Sequence, residues 1–356
     1  MALQIGIIGL PNVGKSTLFN ALLKKQVAYA ANYPFATIEP NVGVVEVPDS
    51  RLGALAKVIG NNPPIVPAVV EFYDIAGLVA GASKGEGLGN KFLSHIREVA
   101  AIVHVVRIFE DSNITHVSEK IDPASDIATI NTELILADLS TLEKYKEPKG
   151  NASKEDVATF DVVKKLRVAL DTGTAARDVE LDEKEQEAIK QLNLLTMKPV
   201  LFVFNTSEEQ LENPSSIELP KGTEESMYFC AKLENEIVEL SLDEQKEYLN
   251  QYGLEETGLN RLIQKTYELL GLISFLTAGE KEVRAWTIHK GDTAVIASGE
   301  IHTDFMKNFI KAEIAPFDAF VQLGGWLGVR EKGKAILAGK DYIMKDGDVV
   351  EFKIGV

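Results

Sequence analysis

Residues 9–17 read Gly9-Leu-Pro-Asn-Val-Gly-Lys-Ser-Thr17, after an apolar run, Leu3-Gln-Ile-Gly-Ile-Ile8, and before Leu18-Phe-Asn-Ala-Leu-Leu23. That order is strand, tight loop, helix. Two glycines, a lysine and a hydroxyl stand at the spacing of a phosphate-binding loop. Gly9 and Gly14 let the backbone curl. The N–H groups of Asn12, Val13, Gly14, Lys15, Ser16 and Thr17 then point into one concavity, an anion nest. A helix starting near Lys15 adds its positive end. Lys15 brings a point charge to the outer phosphates and Ser16 a hydroxyl for Mg²⁺. The rest of the chain reads as apparatus for sensing or cleaving a nucleotide held here.

Two further segments fit that expectation. Ala31-Asn-Tyr-Pro-Phe-Ala-Thr-Ile-Glu-Pro40 is a loop, because two prolines and short polar residues oppose regular structure. It puts Thr37 where a nucleotide switch places a hydroxyl on Mg²⁺. Val69-Val-Glu-Phe-Tyr-Asp74 is a strand ending in an acid, followed by Ile75-Ala-Gly77. Asp74 would hold Mg²⁺, and the Gly77 N–H would contact the terminal phosphate. The next residue is Leu78, where many GTP-hydrolysing switches carry a glutamine that orients the attacking water. Leucine has no hydrogen bond to give water. His116, in the polar loop after the strand Ala101–Arg107, is the candidate to place it instead, since an imidazole accepts from water. Asn12 is a candidate ligand for K⁺ beside the phosphates.

Beyond Pro123 the apolar period becomes helical: Ile127, Ile130, Leu134 and Ala137, then Val157, Phe160, Val163, Leu166 and Leu170, then Ile189, Leu192 and Leu195. Residues 126–197 therefore read as an inserted antiparallel helical arm. Lys198–Asn205 returns to a buried strand. Asn205-Thr-Ser-Glu208 follows, where guanine-binding proteins carry Asn-Lys-x-Asp. Their aspartate accepts from two donors on guanine's Watson–Crick edge. Glu208 is longer by a methylene, and loss of a matched buried polar contact costs about 10⁴-fold in discrimination. The pattern argues against guanine and leaves adenine open, with Asn205 placed to bond the base. Cys230-Ala-Lys232 occupies the last base-flanking loop. Leu259–Leu272 reads as an amphipathic helix. The chain then changes character at about 278: short strands at 283–288, 335–337 and 349–354 surround a helix near 304–312.

Composition narrows the function classes. The 356 residues are 45% hydrophobic and 25% charged, ordinary for a globular protein with two or three domains. A single cysteine, Cys230, forbids an intrachain disulfide and suits a reducing compartment. No apolar run reaches the ~18 residues of a membrane span, and no leader pattern opens the chain; a cytoplasmic monomer is expected. The net charge of −16 disfavours nucleic acid as a partner of the whole surface. The charge is uneven, however. Residues 280–356 hold 11 Lys/Arg and 12 Asp/Glu, so −15 lies in the first 279 residues. A phosphate-rich partner better suits the C-terminal part.

Together Gly9–Thr17, Thr37, Asp74–Leu78, the glycine-rich run to Gly89, Asn205–Glu208 and the C-terminal module resemble the YchF (Obg-like ATPase) family of P-loop proteins. The resemblance implies an α/β fold: a P-loop NTPase domain with a mostly parallel sheet and flanking helices over 1–125 and 198–277. It also implies a helical coiled-coil insertion over 126–197 and a ubiquitin-like (β-grasp) TGS domain over 278–356. It implies Mg²⁺-dependent hydrolysis of ATP by a ribosome-associated regulator of translation and stress responses, with the large subunit as partner. Two alternatives remain: an Obg-type GTPase with relaxed base readout, and a nucleotide-gated ribosome-binding module whose hydrolysis is incidental.

Overall fold

A computed structural model describes residues 4–32, 41–75, 88–111, 121–149, 153–213 and 217–355, with the side chains of 26–32, 88 and 242 left undescribed. The strands are β1 (Gln4–Ile8), β2 (Val42–Glu46), β3 (Ile65–Val66), β4 (Val69–Asp74), β5 (Ala101–Arg107), β6 (Val200–Asn205) and β7 (Ser226–Phe229). They continue with β8 (Leu272–Ala278), β9 (Val283–His289), β10 (Phe309–Pro316), β11 (Ile336–Ala338) and β12 (Asp348–Ile354). The helices begin with α1 (Lys15–Asn32), α2 (Ser50–Ile59), α3 (Leu88–Glu98), α4 (Pro123–Glu143), α5 (Lys154–Asp171) and α6 (Glu183–Ile189). Next come α7 (Glu208–Glu212), α8 (Ala231–Ile237), α9 (Leu242–Gln251) and α10 (Gly258–Leu269). The last four are α11 (Ala294–Ile301), α12 (Thr303–Lys307), α13 (Phe317–Gln322) and α14 (Trp326–Glu331).

The chain divides into two compact units, Met1–Val45 with Glu71–Leu262, and Glu46–Val70 with Ile263–Val356. The first is built on a sheet of order β2-β4-β1-β5-β6-β7. Strands β4, β1, β5, β6 and β7 run parallel to one another. β5 and β6 are buried at every residue, the near-continuous apolar run of a strand covered on both faces. Gly6 in β1 is closely packed: a Cβ there would lie 2.6 Å from Ile75 Cδ1, so that side chain would have to shift. The order reverses at β1: the chain reaches β4 on one side and β5 on the other. Crevices at such a reversal, beyond the carboxyl ends of the strands, are where open α/β sheets bind ligands.

The inserted helices are present. Asp122 caps α4, with its side chain accepting from the Ser125 N–H and Pro123 in the first turn. Ser153 caps α5 in the same way through Asp156. Their apolar faces meet in a cluster that includes Ile135, Leu142, Val163, Leu166 and Leu170. Val157, expected on this face, is 47% exposed, so the packed stripe of α5 starts nearer its middle. Residues 172–197 form no third long helix. Gly173 at φ +84° and Asn193 at φ +46° break the chain into α6 and three single-turn helices. The segment is anchored by Asp138 of α4, fully buried, whose carboxylate accepts from the Leu195 and Thr196 N–H groups at 2.8 Å each. Burial holds its pKa above the usual carboxylate range, against those hydrogen bonds.

The second unit carries the sheet β11-β10-β12-β8-β9-β3. β8 and β9 form a hairpin, β12 lies parallel to β8, and β10 runs antiparallel to β12. Phe275, Ile288, Phe309, Ile314 and Val350 fill one core. Three features differ from the sequence reading. The sheet begins at Leu272, six residues before the expected boundary of 278 and inside the expected helix 259–272. Phe309–Pro316 is a strand where a helix was expected to reach 312, because its pairing with β12 overrides a weak local period. Residues 46–70 also belong to this unit. There β3 adds to the edge of β9, and Arg51 donates to Asp346 at 2.7 Å and to Asp49 at 2.8 Å.

Candidate active site

The carboxyl ends of β1, β5, β6 and β7 each feed one wall of a single cleft of about 790 Å³. β1 leads into the phosphate-binding loop, which supplies Asn12, Gly14, Lys15, Ser16 and Thr17. β5 leads into Phe109, Glu110 and Asp111. β6 leads into Asn205–Glu208, and β7 into Cys230, Ala231 and Lys232. Val13 is buried beneath the loop, 1% exposed, and contributes backbone.

The floor is set by backbone geometry. Gly9, Asn12 and Gly14 lie at φ +155°, +62° and +103°. A Cβ on Gly9 would stand 2.5 Å from the Val105 carbonyl oxygen, and one on Gly14 would stand 2.2 Å from Asn205 Nδ2. Both glycines are required on steric as well as torsional grounds. Asn205 explains the second clash. Its Nδ2 donates to the Val13 carbonyl at 2.9 Å and its Oδ1 accepts from the Ala231 N–H at 3.0 Å. At 3% exposure, this side chain ties the phosphate-binding loop to the base-flanking loop. The sequence reading gave that amide to the purine; here it joins the loop after β1 to the loop after β7.

Lys15 is 9% exposed, and burial lowers its pKa, with Asp74 pulling the other way. Asp74 shows the mirror image: burial raises its pKa and Lys15 opposes. Asp74 ends β4 beside Ile7 of β1. Its Oδ1 is buried with no hydrogen-bond partner. Such an orphaned carboxylate oxygen, beside an ammonium charge and a loop bearing the Ser16 hydroxyl, fits Mg²⁺. That ion takes one or two protein oxygens and fills its octahedron with water and phosphate. Among the described residues no cluster of three His, Cys, Asp or Glu could hold a metal by itself. Thr37, Gly77, Leu78 and His116 lie outside the described residues.

The mouth is polar and more exposed. Glu208 pairs with Lys232 at 3.0 Å and accepts from the Tyr252 hydroxyl at 3.3 Å. Cys230 is 3% exposed and stands at the start of α8, where burial pushes its thiol pKa up. Sequence reasoning gave the loop after β5 a role through His116 but missed Phe109 and Arg107. Phe109 is the one aromatic among the described residues lining the cleft. Arg107, 1% exposed, donates to the carbonyls of Phe109 at 3.0 Å and Asp111 at 3.3 Å. Its guanidinium lies 4.6 Å from the Phe109 ring centroid. A buried-type strand that ends in arginine was the available signal.

Known proteins are similar to this chain along its whole length. The ribosome-binding ATPase YchF of Bacillus subtilis is 51% identical, with 100% of both chains covered. That of Haemophilus influenzae is 50% identical with the same coverage. The chain belongs to the YchF family. A family model described as a 50S ribosome-binding GTPase matches residues 4–132. The YchF-GTPase C-terminal model, described as a protein of unknown function, matches residues 272–355 and so starts with β8. A solved structure, the Schizosaccharomyces pombe YchF GTPase, superposes with a TM-score of 0.87 at 36% identity, covering 99% of this chain and 97% of that one. Its P-loop α/β fold is the fold found here. No helix among the described residues is long and apolar enough to cross a membrane.

Proposed function

We propose that this protein is a ribosome-binding ATPase that hydrolyses ATP to ADP and phosphate as a regulatory switch in the cytoplasm, acting as a monomer. One observation carries the reading: a single cleft has a glycine-shaped anion nest at one end and the Asn205–Glu208 segment at the other, joined by one buried amide. The ribosome enters through the names of the bacterial relatives, and its large subunit through the description of the N-terminal family model.

The chain's own residues act by positioning and charge neutralisation. The loop N–H groups and Lys15 hold the phosphates. Ser16, Thr37 and Asp74 would hold Mg²⁺, which supplies charge stabilisation on the transferred phosphoryl group. Gly77 contacts the terminal phosphate. With Leu78 unable to orient water, His116 is the first candidate to do so, and K⁺, which Asn12 would hold beside the phosphates, is the second. Equal turnover in K⁺ and Na⁺ would remove the Asn12 role, and full ribosome-stimulated turnover in His116→Ala would remove that of His116.

A second reading, an Obg-type GTPase, is favoured by the word GTPase in the description of the fission-yeast structure. Calorimetric competition decides between them. The expected result is ATP bound more tightly than GTP, and Lys15→Ala binding neither. Tighter GTP would overturn the ATPase reading.

A further inference from the structure

The mouth of the cleft shows more than an acid of the wrong length. Both oxygens of the Glu208 carboxylate are occupied: Oε1 by the Lys232 ammonium at 3.0 Å, Oε2 by the Tyr252 hydroxyl at 3.3 Å. Guanine offers two donors side by side on its Watson–Crick edge, and reading them takes a carboxylate free to turn both oxygens to that edge; a donor held on each oxygen from α8 and α9 fixes its orientation instead. Adenine offers one amino donor next to an acceptor and does not need the pair. We propose that Lys232 and Tyr252 are specificity-determining residues that pin Glu208 and so withhold it from guanine. The inference rests on the adenine reading of this cleft.

The pin is built from three elements. Glu208 opens α7, Lys232 lies in the first turn of α8, and Tyr252 follows the last residue of α9. Tyr252 is itself steadied by Tyr248, whose ring centroid lies 5.5 Å away. The Glu208 contact raises the pKa of Lys232, so the ammonium stays charged at neutral pH. Lys232 is 74% exposed and Glu208 32%, so water screens the ion pair and its hold is modest. The hydroxyl adds a second contact from the opposite oxygen. Release of both therefore shifts the base preference by about tenfold, far below the ~10⁴ of a fully matched and buried polar contact. The extra methylene of Glu208 retains the remainder.

The test uses the full-length protein, Mg²⁺ and titrations with ATP and GTP. In Lys232→Ala/Tyr252→Phe the GTP Kd falls, and the ATP-to-GTP preference drops about tenfold. Adding Glu208→Gln to that pair abolishes the gain, because an amide cannot accept from both guanine donors. Tyr252→Phe alone keeps the ring on Tyr248 and gives a smaller shift in the same direction, which guards against a misfolded double variant. An unchanged preference, or one that drops only because ATP binds worse, overturns the proposal. A wild-type protein without ATP preference overturns the adenine reading itself, and the two failures are told apart by that first titration.

Discussion

The floor and the mouth of the cleft are made on opposite principles. At the floor the backbone does the work, in conformations open to glycine, with neighbours so close that a Cβ on Gly14 would stand 2.2 Å from another side chain. At the mouth the work is done by long side chains with one end in water, Lys232 at 74% exposure among them. Phosphate is common to every nucleotide, so a rigid, sequence-fixed cradle serves it. In the reading proposed above, discrimination between bases falls to the mouth, where a few side-chain contacts can tune it.

The comparison breaks most sharply at Gly14. Gly14→Ala would force a left-handed alanine into Asn205, a strain of about 1–3 kcal/mol before the clash is counted. Nucleotide affinity is expected to fall by about 5- to 150-fold at that cost, measured by calorimetry. Asn205→Ala comes next. It leaves the Val13 carbonyl and the Ala231 N–H unsatisfied in a buried place, a loss of about 2–4 kcal/mol in urea unfolding. Both ends of the ligand site should loosen together. If ATP affinity survives that substitution, floor and mouth are independent.

The strand beneath the floor gives a pH signature. His104 of β5 lies beside Ile8 of β1, is 2% exposed, and packs on Phe202 with ring centroids 5.5 Å apart. Burial first, and the Arg177 charge second, lower its pKa to about 3 from 6.5. The unfolded chain takes up a proton below pH 6.5 that the folded chain refuses until about pH 3. Stability present above 6.5 is therefore lost as pH falls through that window, by up to about 1.4 kcal/mol per pH unit. His104→Gln should flatten this limb in denaturant titrations at successive pH values. Least of all, Lys232→Ala should leave the urea-unfolding midpoint essentially where it is, because an exposed ion pair is screened by water. A clear fall in the midpoint would mean that the mouth is structural after all.

The floor was legible because its signal is local. Gly9, Gly14, Lys15 and Ser16 lie within eight residues of one another, and no partner from elsewhere is needed to recognise them. Asp74 and Asn205 were legible as strand-end residues, one with an orphaned oxygen. The loop-tying role of Asn205 was not, since Val13 and Ala231 are distant in sequence. Phe109 was missed because one aromatic after an apolar strand has an ordinary core reading, and only Arg107 beneath it and the cleft beside it give it a direction.

The sequence by itself determined the elements whose cause is short-range: the nest after β1, the capped helices α4 and α5, the buried parallel strands β5 and β6. Tertiary structure alone decided where residues 46–70 belong. β3 is two residues long, too short to carry a period, and its place beside β9 is fixed by backbone pairing across more than 200 residues of chain. It alone decided, too, that both oxygens of Glu208 are taken. Contacts of that kind come from chain segments brought together by the fold, and no local pattern of residues encodes them.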